Sequence, residues 1–174
     1  MKTKNTLIIL FLSLIVNIVF SQEKTKKQLN EETKIVKQKE TEILVNSKEF
    51  VFIARNVSPQ GYRTINLSGN GDNVMFQPEM IKSDMPFFGK SYGGSSYGSG
   101  DGGIKFEGAP KVYTIEKTKK YYRIKVEVKG ERDFYDLLLS VYFEGNATLS
   151  ISSNTRSTIS YSGKIYKIEK KVSQ

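Results

Sequence analysis

Three patterns of apolar and polar residues follow one another along the chain. Residues 7–20 (LIILFLSLIVNIVF) are almost wholly apolar, residues 22–48 carry a thin apolar repeat in a Lys/Glu/Gln/Thr background, and after Glu49 apolar and polar residues alternate in steps of two. Each pattern predicts a different fate for its segment.

The first run follows Lys2 and Lys4 and ends at Ser21, the charged, apolar, small-residue order of a secretory signal peptide. Its 14 residues, broken by Asn17, are shorter than the about 20 that a spanning helix needs. Val19 and Ser21 suit the two small-residue positions before a cut at Ser21/Gln22, which predicts a leader at residues 1–21. No Cys follows the run, so a lipid cannot be attached there. The expected product is exported and soluble, carries no lipid anchor and does not span a membrane.

Between residues 22 and 48, Leu29, Val36 and Ile43 recur every seven residues, with Leu44 beside the last. That spacing predicts a polar helix of about 20 residues, frayed at its start. So thin a stripe does not hold a helix alone. It is expected to lie on the following domain or to serve as a spacer.

From residue 49 to 174 the period is two. Tyr122, Ile124, Val126 and Val128 share one face while Arg123, Lys125, Glu127 and Lys129 share the other, the alternation of a half-buried antiparallel strand. Tyr135, Leu137, Leu139, Val141 and Phe143 repeat it. Glu144-Gly145-Asn146 then turns the chain, and Ala147, Leu149 and Ile151 point inward again. Similar segments are expected at residues 50–55, 62–68, 73–77, 104–107, 112–118, 158–162 and 165–169. The fold class is therefore all-β: one antiparallel barrel or sandwich of about eight to ten short strands behind an N-terminal helix. Eight of the fourteen glycines fall between Met85 and Pro110, in a long loop that also holds Phe87, Phe88, Tyr92 and Tyr97. Its aromatic part is expected to dock and its glycine part to move.

Composition narrows the chemistry. The chain has no Cys and no His, which removes thiol and imidazole nucleophiles and bases, thiolate clusters and ordinary zinc sites. It also has no Trp. The glycine segment lacks the Lys-Ser/Thr ending and following helix of a phosphate loop. Gly98-Ser99-Gly100-Asp101 offers one carboxylate, where Ca²⁺ takes about six to eight oxygens. No enzyme, cofactor or metal is expected. The net charge of +9 falls to +7 without Lys2 and Lys4, and the basic residues are scattered along strands and turns. Such scatter reads first as a solvated basic surface; if the charge has a target in an exported protein, an anionic envelope surface fits better than nucleic acid.

The candidate ligand-contacting residues are Phe87, Phe88 and Tyr92, as the lip of a pocket, and Arg156, for an anionic group. Core filling is the competing reading for the aromatics. For Arg156 the alternatives are bracing a turn or pairing with Asp133 or Asp136.

Four segments carry a family resemblance: residues 50–55 (FVFIAR), 85–92 (MPFFGKSY), 102–106 (GGIKF) and 156–165 (RSTISYSGKI). Together, over about residues 31–165, they resemble the exported Bacteroidetes proteins of domain-of-unknown-function family 4251. Met85 and Phe87 stand where Leu and Tyr are commoner. The resemblance implies an envelope location and a lipocalin-like barrel, and it implies no activity. Two roles then fit: a barrel holding a small apolar or amphipathic ligand, or a packed barrel that contacts an envelope component through its surface.

Overall fold

The computed structural model describes residues 26–67, 71–92, 102–131 and 133–169. The leader expected at residues 1–21 and the glycine run at 93–101 lie outside them. Helix α1 (Lys26–Ser47) matches the expected element. It ends where Lys48 turns left-handed (φ 57°) and donates its N–H to Val45 O at 3.2 Å.

The chain divides into two compact units within α1, and residues from Val36 onward form one unit with the strands. In that unit Thr41 and Val45 are buried, and Leu44 packs against the core. Glu42 meets Lys117 at 2.8 Å, and Lys48 Nζ lies 4.9 Å from the Tyr113 ring centre. The apolar repeat read as the contact stripe does none of this. Leu29, Val36 and Ile43 are 51, 53 and 71% exposed.

The strands are β1 (Phe50–Pro59), β2 (Ile65–Asn66), β3 (Asn73–Phe76), β4 (Ile81–Met85), β5 (Ile104–Gly108), β6 (Pro110–Lys117), β7 (Tyr121–Lys129), β8 (Phe134–Tyr142), β9 (Asn146–Ser153) and β10 (Ile159–Lys167). All pair antiparallel in the order β5-β4-β3-β1-β10-β9-β8-β7-β6, with β2 on the outer half of β1. The two ends of that order, β5 and β6, are joined by Ala109 alone. Gly108 approaches Lys129 on β7 so closely that a Cβ would meet its carbonyl oxygen at 2.6 Å. The sheet therefore curls into a nearly closed barrel.

The expected alternation sets the register. Tyr122, Ile124, Val126 and Val128 oppose Val141, Leu139, Leu137 and Tyr135 on β8, and Leu137, Leu139 and Val141 oppose Ile151, Leu149 and Ala147 on β9. All of them are buried. The β8–β9 turn uses Gly145 at φ 85°, a conformation side chains disfavour.

Three strand expectations change. The segment expected at 62–68 forms a strand only over Ile65–Asn66. Ile81-Lys82-Ser83-Asp84-Met85, where no strand is expected, forms β4, and its inward Ser83 hydroxyl donates to Ile104 O at 2.8 Å. The segments at 158–162 and 165–169 are one strand, β10, running through Gly163.

The inner positions are filled by the chain itself. Phe52, Val74, Ile124, Val126, Leu139 and Leu149 are 0% exposed, so a water-sized sphere touches none of them. Phe50 and Phe76 stack at 4.8 Å. Burying each such side chain contributes about 1.5–3 kcal/mol.

Candidate functional site

At the end of β4 the chain meets the segment leading into β10, and the two are locked residue by residue. Pro86 has no N–H to continue a ladder, and its carbonyl accepts the Tyr161 hydroxyl at 2.7 Å. Phe87 packs half-buried against the core, with the Arg156 guanidinium 5.1 Å above its ring centre. A Cβ on Gly89 would stand 2.5 Å from Ser157 Oγ and 2.6 Å from the Phe87 ring. Beyond it, Lys90 N donates to Ser157 Oγ (3.0 Å), Ser157 N to Lys90 O (2.9 Å) and Tyr92 N to Thr155 O (2.7 Å).

Arg156 joins both stems of the segment between them. Its backbone pairs with Ser91 as an antiparallel bridge, and its Nη1 donates to Gly103 O at 2.6 Å. Of the readings open in the sequence, the geometry matches the brace. Asp133 does not pair with Arg156. It accepts instead from Phe134 N (2.8 Å), Asn154 N (3.3 Å) and the Thr155 hydroxyl (2.5 Å).

Two phenols lie within the field of Arg156. Burial raises the Tyr135 hydroxyl, and the guanidinium partly opposes that; Tyr161 is raised in the same way. Tyr135 stacks on Phe106 at 4.2 Å. Phe87 and Arg156 thus come together, while the side chains of Phe88 and Tyr92, 44 and 70% exposed, stand on the surface, and Tyr92 joins the lock through its backbone N–H. Tyr161, Asp133 and Ser157 were missed as members. Tyr161 and Ser157 both lie in the 156–165 segment that carries the resemblance, which gives neither of them a partner. Among the described residues, no group of three His, Cys, Asp or Glu is placed to hold a metal.

For Asp133, burial raises the pKa, but the hydrogen bonds, led by that of the Thr155 hydroxyl, outweigh it and hold the carboxyl below its ordinary value. A lowered folded-state pKa contributes stability above the unfolded value of about 4, lost as pH falls through the folded value. Asp133→Asn should cost about 1–3 kcal/mol at neutral pH and flatten that acid loss. Urea melts at about pH 7 and pH 3 read both effects; an unchanged acid slope would refute the role.

The two segments that interlock here, 85–92 and 156–165, are two of the four that carry the family resemblance. A family model described as a domain of unknown function, DUF4251, matches residues 32–165. The chain belongs to this family. The crystal structure of a DUF4251 family protein from Bacteroides eggerthii DSM 20697 is similar to this fold, with a TM-score of 0.61 at 18% identity. The match covers 76% of this chain and 88% of that one. No curated protein matches the sequence. In DUF4251 terms, the signature residues of this chain have structural tasks: Met85, Ile159 and Tyr161 are buried, Phe87 seats Arg156, and Gly89 and Gly163 give room to close neighbours.

Proposed function

We propose that the protein is exported to the periplasm, catalyses no reaction and works through its outer surface as an envelope interaction protein. The observation that carries this reading is the filled barrel. A chamber for an apolar ligand needs inner side chains that border empty space, and here the inner positions of β1, β3, β7, β8 and β9 are buried in one another. What remains available is the outside, where the chain as a whole carries excess positive charge, although on β7 Arg123 and Lys125 are already paired with Glu116 and Glu127. Such a surface suits an anionic envelope component, by attraction that salt screens over about 10 Å.

No helix among the described residues is long and apolar enough to cross a membrane. The proposed leader accounts for export, and a cut before Gln22 releases the chain.

Native mass spectrometry of the protein recovered after export tests the reading. The expected mass is that of residues 22–174 alone. A co-purifying small molecule that survives transfer would overturn the surface reading in favour of the ligand chamber. A mass retaining residues 1–21 would overturn cleavage. Envelope fractions washed with about 0.5 M salt should release the protein; retention would argue against charge as the means of attachment.

A further inference from the structure

We propose that the outer line of β8 is a membrane-contact surface that docks on a bilayer carrying anionic phospholipid; the inference rests on the outer-surface reading above and names its partner. Along β8, Phe134, Asp136, Leu138, Ser140 and Tyr142 all point away from the core. Three of these five are large and apolar, and Phe134, Leu138 and Tyr142 are 47, 44 and 43% exposed. They form a line of about 27 Å on the convex side of the barrel. The flank on β9 is low: Ser152, Ser150 and Thr148 lie opposite Asp136, Leu138 and Ser140, and Ser160 and Ser162 of β10 continue the rows. Beside such short side chains the three apolar ones stand proud.

The charge at the Phe134 end completes the surface. Lys111 Nζ lies 4.8 Å from the Phe134 ring centre and Lys129 Nζ 6.0 Å from it. Neither lysine has an ion-pair partner among the described residues, whereas Arg123 and Lys125 on β7 are held by Glu116 and Glu127. A bilayer surface satisfies both parts of this arrangement at one depth. The ring enters the boundary of the acyl chains while the ammonium groups reach lipid phosphates. Leu138 favours lipid over an acidic polysaccharide, because a branched aliphatic side chain offers a sugar ring no flat face and is well matched to acyl chains. Tyr142 meets Tyr121 edge to face at 5.7 Å and ends the line with phenols, which suit the headgroup level. Asp136 opposes the contact. It lies between Phe134 and Leu138, opposite Glu127, and its charge repels an anionic surface.

Flotation of the exported protein with vesicles tests the contact, using phosphatidylcholine alone and phosphatidylcholine with about 30% phosphatidylglycerol. Affinity for the anionic vesicles should exceed that for the neutral ones about tenfold or more. Lys111→Gln with Lys129→Gln should remove about tenfold or more of it. Phe134→Ala and Leu138→Ala should each weaken it about threefold, and Asp136→Asn should strengthen it about threefold. All five positions are exposed, so Tm should move by no more than a few degrees.

The chain has no Trp, so one introduced at the surface reports insertion directly. Emission of Phe134→Trp should shift to the blue on anionic vesicles; that of Tyr62→Trp, in the exposed turn between β1 and β2, should not. A shift at both positions or at neither, vesicle binding indifferent to the two lysines, or equally tight binding to soluble alginate would each overturn the lipid contact. High-salt release of the unaltered protein from envelope fractions separates the two readings. Release without vesicle binding overturns the lipid contact alone, and retention in high salt overturns the charged-surface reading together with it.

Discussion

Gly163→Ala is expected to cost about 3 kcal/mol or more, and about 10 °C in Tm, although it adds one methyl group. A Cβ at that position would collide with Ile53 O and lie 3.0 Å from Ala54 Cα, both backbone atoms of the neighbouring strand. No rotamer relieves such a contact. The strand pair has already adjusted here, since Gly163 faces Ala54, Ser162 faces Asn56, and Arg55 is left over as a bulge. The added methyl would have to separate β1 from β10 at the centre of the sheet. Gly102→Ala is the matched control, with nothing within 4 Å of its Cβ, and should leave Tm unchanged. Thermal melts of the two variants decide the matter. Equal Tm values would mean that β1 and β10 do not approach as described.

The second large effect comes from cutting α1 at two places. Removing residues 22–35 should leave the barrel's Tm within a few degrees, because Leu29 and Ile35 are about half exposed. Removing residues 22–48 takes away Val45, which is fully buried, together with Leu44 and the Glu42–Lys117 pair. The core beneath them would then face water. A loss of about 3–5 kcal/mol follows, mostly from apolar surface and little from the exposed ion pair. Circular dichroism melts of the two truncations should separate by about 10 °C or more; coincident melts would show that the second half of the helix covers nothing the fold needs. Val45→Ala, costing about 2 kcal/mol, tests the same contact without truncation.

Strands were legible wherever strict alternation reflects a face against the core. β7, β8 and β9 follow from Tyr122 to Ile151 because every inward position is apolar and every turn carries glycine. β4 was hidden because its inward Ser83 finds a backbone carbonyl, a partner that the pattern of side chains does not display. Gly163 looked like a break between strands and is instead the place where one strand lets another come close. In α1 the seven-residue repeat was real, but it does not mark the buried side; Thr41, a polar residue, sits there with Val45.

The candidate site was half legible. Phe87 and Arg156 were nominated separately, and their meeting depends on a loop stem that returns to within hydrogen-bonding reach 53 residues earlier in the sequence, at Gly103. Composition gives no sign of that. Phe88 and Tyr92 were nominated with Phe87 for being aromatic in a glycine-rich region, but neighbouring residues in such a loop need not face the same way.

The pairing of β1 with β10 also orders events in time. Phe50 lies opposite Lys167 and Pro59 opposite Ile159, so the strand made first after the helix has its main partner about a hundred residues later. Local hairpins such as β7–β8 form on microsecond scales, whereas a sheet closed by its two extremes must wait for the whole chain and folds in milliseconds to seconds. A partly emerged chain therefore has no stable barrel to adopt. Such a polypeptide stays threadable until its last strand is made, which is the kinetic property that the proposed export would require.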